Sequence, residues 1–252
     1  MKLLHLFWLI PLSVLISMII NHLANTLPVY RKIIFSLLCP HCDQKINLSN
    51  YYIKRFCPNC NNTIPIRNFV LPIVFIITYV LIFYFPPEYS GVVISLIVVT
   101  FLILVFIIDF EHRLILHPVS FFGAVLFLVI GMILNGWKLT LLGGGLGFLI
   151  MYFLYLFGIL FLRWMSKRKG VSTEEVALGY GDVNLAAILG LLFGWPRISV
   201  LLFFAIVLGG IFSAIYMVLL KIQKKYETNT AIPYAPFMII AAIIMLYIST
   251  PH

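Results

Sequence analysis

The sequence predicts an all-α integral membrane protein: eight transmembrane helices with a small cytoplasmic zinc-binding loop. Three observations carry this. Apolar types make up 63% of the 252 residues and charged types 10%, against roughly 45–50% and 25% in a soluble domain, and no soluble fold has enough interior to hide that much apolar surface. The charges are clustered, leaving long uncharged runs between them. The clusters are mostly basic, and the basic ones fall on alternate loops. Disorder and fibrous repeats are excluded by the same composition.

The uncharged runs are 3–30, 68–87, 89–108, 114–137, 139–162, 183–196, 198–220 and 228–252. A helix needs about 20 apolar residues to cross a core about 30 Å thick. The first run reads as a retained helix and not a cleaved signal: it has one Lys before it, and Asn21-His22-Leu23-Ala24-Asn25 is a poor cleavage site. The next four runs are long enough outright. The run 183–196 is short, but 176–196 reaches 21 residues if Asp182 is admitted. The last two runs are again long enough.

Basic residues fix the count and the orientation. With eight crossings and both termini outside, the inner loops hold Arg31, Lys32, Lys45, Lys54, Arg55, Arg67, Arg113, Arg163, Lys167, Arg168, Lys169, Lys221, Lys224 and Lys225. Lys2, Lys138 and Arg197 remain outside, 3 against 14, a strong positive-inside bias. A re-entrant 176–196 would split Lys167–Lys169 from Lys221–Lys225. The net charge of +9 is thereby explained by anchoring beside anionic lipid, with the bilayer as partner and no nucleic acid.

The loop 31–67 holds all four cysteines, Cys39-Pro-His-Cys42 and Cys57-Pro-Asn-Cys60, spaced C-x2-C-x14-C-x2-C. Two such knuckles present four thiolates to one structural zinc ion. Two disulfides are the alternative, disfavoured in the reducing cytoplasm, and a redox CxxC is another. His41 competes weakly as a ligand. The loop is a folded insertion, and the chemistry has to come from elsewhere.

The chain has eight acids. Asp43, Glu88, Glu174, Glu175 and Glu227 lie in polar loops. Asp109 and Glu111 close the third run in Phe106-Ile-Ile-Asp109-Phe-Glu111-His-Arg113, and Asp182 closes Gly179-Tyr-Gly-Asp182 at the start of the sixth crossing. Asp109 alone could end a helix at the interface, pairing with Arg113. Topology adds a second fact: helix 3 runs inward and helix 6 outward, so Asp109 and Asp182 share the cytoplasmic depth. Two carboxylates there are the parts of an aspartyl protease, one activating water and the other polarising the scissile carbonyl. Gly179 and Gly181 would let an extended substrate backbone approach. Ala186, Gly190 and Gly194 form a small-residue stripe that brings another helix close, and plain packing accounts equally for Gly143, Gly144, Gly145 and Gly147.

These residues resemble the prepilin peptidases, or type IV leader peptidases, a family of GxGD-type membrane aspartyl proteases with eight helices. Ile16 to Asn21 and Leu27-Pro28 resemble the family's first-helix signature, and the tetracysteine loop follows as in many members. Ile108-Asp109-Phe-Glu111 resembles the first catalytic motif, Gly179-Tyr-Gly-Asp182-Val-Asn the second, and Ile232-Pro-Tyr-Ala-Pro-Phe237 the closing motif. Thr26, Asn184 and Ala235 depart from the residues usual in those motifs. The resemblance implies Asp109 and Asp182 as the catalytic pair and Glu111 in support, acting at the inner (plasma) membrane. The substrates would be prepilins or pseudopilins of pili, secretion or DNA uptake, cleaved at the cytoplasmic face after a Gly. It also implies N-methylation of the new N-terminus from S-adenosylmethionine, which Thr26 speaks against. Residues 1–68 would then be the first helix with a methyltransferase region, and 69–252 the seven-helix peptidase. A transporter using the two Asp as a proton relay is the competing class, and a zinc-sensing scaffold a third.

Overall fold

The computed structural model describes residues 2–30, 36–39, 42, 44–47, 56–63, 66–112, 115–169, 179–222 and 234–248. Its eight helices are α1 (Lys2–Tyr30), α2 (Arg67–Tyr84), α3 (Gly91–His112), α4 (His117–Asn135), α5 (Trp137–Lys169), α6 (Tyr180–Phe193), α7 (Arg197–Ile222) and α8 (Ala235–Tyr247). Among the described residues there is no strand, only two isolated bridges in the cysteine loop. The chain is an all-α, multi-pass membrane protein. Six helices, all but α6 and α8, are long and apolar enough to cross a bilayer.

The surface explains why no aqueous fold fits. Phe121, Ile133, Phe157 and Phe203 are all well exposed, on faces where a water-soluble protein would carry charge. Lipid tolerates such faces, but it satisfies no backbone or side-chain polar group, so polar groups close on the helix itself. Ser13 and Ser17, both buried, donate to the carbonyls of Ile10 and Val14 at 2.7 Å.

The described residues fall into two compact units, 1–87 with 91–107, and 88–90 with 108–252. In the first, α1 packs on α2. Thr100 Oγ1 donates to the Leu96 carbonyl at 2.7 Å, so the Tyr79 hydroxyl, 2.8 Å away, is the donor that joins α2 to α3.

In the second unit α6 is the hub, packed on α4, α5, α7 and α8. Nine of its 14 residues are buried. The sequence expects this crossing to span 176–196, but the helix is shorter. Its C-terminus is set by Gly194, whose φ of +67° only glycine adopts freely and whose N–H returns to the Gly190 carbonyl at 2.9 Å. Fourteen residues rise about 21 Å, short of a full core. α8, with 13 residues, is likewise short, and seven of them are buried. The two interior helices are thus the short ones.

Glycine makes the α5–α6 seam. A Cβ on Gly190 would lie 2.2 Å from the Gly143 carbonyl oxygen, one on Gly143 2.4 Å from that of Gly190, and one on Gly147 2.6 Å from that of Ala186. The stripe on α6 and the glycines of α5, separate features in the sequence, are the two sides of one contact. At the C-terminal end of α6 the Tyr89 hydroxyl donates to Asn135 Oδ1 at 2.9 Å. Asn135 Nδ2 donates to the Leu192 carbonyl at 2.9 Å, and the Arg197 guanidinium lies over the Tyr89 ring at 4.1 Å. Carbonyls that the helix end leaves open are thereby satisfied.

Candidate functional site

Asp109 lies in the last turn of α3 and Asp182 in the first turn of α6, both within the second unit. They are 5% and 8% exposed, and they are the buried acids among the described residues. A carboxylate at membrane depth costs roughly 2.5–3.5 kcal/mol, so two in one unit call for a reason. The pair interacts: Asp109 acts electrostatically on Asp182. The two acids that topology expects at one depth are thus both buried in this unit.

Local sequence explains how Asp182 is held. As the third residue of α6 it turns Oδ2 back onto the N–H of the N-cap Gly179 at 3.2 Å, while its own N–H donates to the Gly179 carbonyl at 3.1 Å. This is the returning half of a capping box, and glycine has no side chain to supply the other half. An acid in the first turn also meets the positive end of the helix. Gly179 itself has ordinary extended angles (φ −77°, ψ 146°). Gly181 has a steric reason: a Cβ there would lie 2.9 Å from Cβ of Ile115. The close approach expected at Gly181 is thus made by a side chain of this same unit.

Glu111 goes elsewhere. It is exposed, with Oε2 4.0 Å from Nε2 of the neighbouring His112. Two residues turn a helix by about 200°, so Glu111 cannot share the buried side occupied by Asp109. Arg113, the expected partner of Asp109, lies outside the described residues, as do His41, Asp43, Glu174, Glu175, Glu227 and the Ile232-Pro233 start of the closing motif.

One neighbour escaped residue-by-residue reading. Tyr234, at the N-cap of α8, interacts electrostatically with Asp182. Its ring passes over Gly209 of α7, where a Cβ would lie 3.2 Å from Cε2, and its buried hydroxyl has no hydrogen-bond partner among the described residues. Only its place in a motif marked it in the sequence. Tyr180, between the two motif glycines, is half exposed, with its ring edge-on to Tyr155 of α5 at 6.0 Å.

The cysteine cluster belongs to the first unit. The knuckles repeat with an offset of 18 residues: Leu38 bridges Lys45 and Phe56 bridges Thr63. The Cys39 N–H donates to the Gln44 carbonyl at 2.9 Å, and the Cys57 N–H to the Asn62 carbonyl at 3.1 Å. Cys39 and Cys57 are buried against Leu37 and Ile46. Sγ of Cys39 and Cys60 are 3.7 Å apart, as are those of Cys42 and Cys57, and all four lie within 4.8 Å of one another. A disulfide requires about 2.05 Å, so these are four free thiols. A tetrahedral zinc site with Zn–S near 2.3 Å has edges of about 3.8 Å, so the donors fit a metal ion. Backbone N–H groups of Cys60 and Asn59 lower the Cys57 thiol to about 6, whereas burial and the neighbouring thiols push Cys42 and Cys60 up, so without a metal one thiolate is favoured among the four.

A second polar group in this unit involves α1. Arg67 Nε donates to Asn21 Oδ1 at 3.0 Å, and Asn21 Nδ2 donates to Asn68 Oδ1 at 2.8 Å. Thr26, where the resemblance expects an arginine, is buried and donates to the His22 carbonyl at 2.9 Å. The guanidinium on this part of α1 comes instead from Arg67.

Residues 96–214, which include Asp109 and Asp182, match the type IV leader peptidase family. Similar curated proteins are named prepilin leader peptidase/N-methyltransferase. That of Stutzerimonas stutzeri is 30% identical over 145 residues, 55% of this chain and 44% of the relative. That of Legionella pneumophila is 36% identical over 75 residues, 30% and 25% of the two chains. The Aeromonas hydrophila protein is 29% identical over 107 residues, 42% and 32%. The chain thus covers less than half the length of the curated relatives it matches. No solved structure matches it.

Proposed function

We propose that the chain is a type IV leader peptidase, the family that its residues 96–214 match, and a membrane aspartyl endopeptidase with Asp109 and Asp182 as its catalytic pair. The observation that carries this reading is the burial of these two acids in one unit, close enough to act on each other. Two near carboxylates resist ionising together and share a proton. The ionised one takes a proton from water, and the resulting hydroxyl attacks the scissile carbonyl. The protonated one donates to that carbonyl oxygen and stabilises the charge that develops there. The proton then passes to the leaving amine. Gly179 fixes the rotamer of Asp182 through its N–H, and Gly181 lets Ile115 close against the start of α6.

The substrates are prepilin-like proteins with a short leader and an apolar helix, cleaved at the cytoplasmic face. This rests on the names of the relatives and on the basic asymmetry of the loops, which also puts both termini outside. The four thiols hold zinc as structure, since a closed four-thiolate site leaves no position for water. N-methylation of the product from S-adenosylmethionine is a second activity of the region 1–68, suggested by the names of the relatives.

The test is incubation of the detergent-purified chain with a prepilin, followed by gel shift. Wild type should shorten the substrate, and Asp182→Asn should lower the rate by on the order of a thousandfold with insertion unchanged. Substantial turnover by folded Asp182→Asn would end the aspartyl reading and leave the proton-relay class. A single added methyl on the new N-terminus, seen by mass spectrometry, would establish the second activity. Complete cleavage without it would leave a peptidase alone.

A further inference from the structure

The proposed cleavage uses no residue of the first unit, yet that unit buries a polar chain where α1 meets α2. Asn21 and Asn68 are each 1% exposed. Arg67 Nε donates to Asn21 Oδ1, and its Nη2 reaches Asn25 Oδ1. Asn21 Nδ2 then donates to Asn68 Oδ1.

The direction of this chain is forced. A guanidinium only donates, so Asn21 must turn its oxygen to Arg67 and its nitrogen to Asn68, and Asn68 must receive that nitrogen with its own oxygen. The amide orientation, ambiguous for an isolated asparagine, is set here by the arginine. The chain therefore ends in a donor. Asn68 Nδ2 carries two N–H groups, is buried and has no hydrogen-bond partner among the described residues. Buried donors in native proteins nearly always have an acceptor.

The kind of acceptor follows from the surroundings. Asn68 is the second residue of α2, an 18-residue helix whose N-terminus has no side-chain cap. Free amides and the helix dipole together make such an end a place for anionic oxygen. The first unit, by sequence, holds seven basic residues and one acid, Asp43.

We propose that Asn68, Arg67 and the start of α2 form a binding site for an anionic oxygen group, a carboxylate or a phosphate, with Asn68 Nδ2 as its inner donor. Two sources share this chemistry: the amino-acid carboxylate of S-adenosylmethionine and the phosphate of an acidic lipid headgroup. Asn68 and Arg67 belong to the first unit and Asp109 and Asp182 to the second, so binding is measured without cleavage and stands or falls apart from the peptidase reading.

The experiment uses the full chain in nanodiscs and compares wild type with Asn68→Asp. That variant keeps an acceptor for Asn21 and replaces the two donors with an oxygen. In the first arm, S-adenosylmethionine and its decarboxylated analogue are titrated by calorimetry in phosphatidylcholine nanodiscs. A cofactor site predicts binding of the carboxylated form tighter by roughly tenfold, with that margin lost in Asn68→Asp. In the second arm, native mass spectrometry counts phosphatidylglycerol retained from mixed nanodiscs. A lipid site predicts a retained molecule that Asn68→Asp releases. Loss in either arm supports the proposal and identifies the source. Wild type binding neither probe, or Asn68→Asp binding both as well as wild type, overturns it and leaves a buried water as the partner of Nδ2. If Asn68→Asp does not fold, Arg67→Gln makes the same comparison: weakening by about fivefold is expected, and undiminished binding overturns the proposal.

Discussion

The cysteine cluster and the aspartate pair are both built from residues far apart in sequence, yet they depend on the fold in different ways. Each cysteine knuckle closes on itself: its bridge and its turn hydrogen bond span at most eight residues, and the second knuckle repeats the first. Only the meeting of two such knuckles is left to chain folding. The aspartates have no local closure toward each other. Asp109 ends one helix, Asp182 begins another, and 72 residues separate them. What holds Asp182 in place is the packing of α6, above all the glycine seam with α5. A knuckle site is robust to what the membrane helices do, whereas the carboxylate pair is as good as the seam beneath it.

The largest expected effect breaks this comparison directly. In Gly190→Leu the new Cβ would lie 2.2 Å from a backbone oxygen of α5, where no flexible side chain can yield. A loss on the order of 3 kcal/mol is expected, with cleavage abolished while the cysteine loop still binds zinc one to one. Metal content by atomic spectroscopy, beside a gel-shift cleavage assay, would check it. Simultaneous loss of zinc would show that the two sites are not independent.

The converse change is next. Cys39→Ser with Cys42→Ser should remove the metal and reduce folded yield, while cleavage per folded molecule stays close to wild type, because a closed four-thiolate site leaves no open position for a reacting water. A fall comparable to that of an aspartate variant would mean that the loop takes part in catalysis.

Tyr234→Phe should reduce cleavage by about three- to tenfold, the scale of one hydrogen bond that the hydroxyl would make only with substrate bound. The pH profile should move with it, and an unchanged profile would make Tyr234 a packing residue. The smallest effect is expected from Glu111→Gln, less than about twofold, since Glu111 is exposed and turned away from Asp109.

Much of this was legible in the sequence, and the failures have a common cause. Runs of uncharged residues located all eight helices, because charge is excluded from hydrocarbon whatever the tertiary arrangement. The lengths of α6 and α8 were less legible: an interior helix is sheltered by its neighbours and need not span the bilayer, and α6 stops where Gly194 turns. The Asp109–Asp182 pairing is an expectation of topology, which would put both at one depth. Glycine seams were visible as stripes, but which stripe faced which was not. The approach of Ile115 to Gly181, of Tyr234 to Asp182, and the order Arg67, Asn21, Asn68 are contacts between elements, set by packing, and no spacing announces them. Glu111, which the resemblance expects in support of Asp109, is exposed two residues further along the same helix.

The central claim is that Asp109 and Asp182 act as one unit, and a double-mutant comparison tests it most directly. Rates of prepilin cleavage are measured for Asp109→Asn, Asp182→Asn and the double variant, in preparations matched for folding and zinc content. A shared proton makes each carboxylate useless without the other, so the double variant should be no slower than either single one. Losses that multiply in the double variant would contradict the pair, showing two carboxylates that contribute separately.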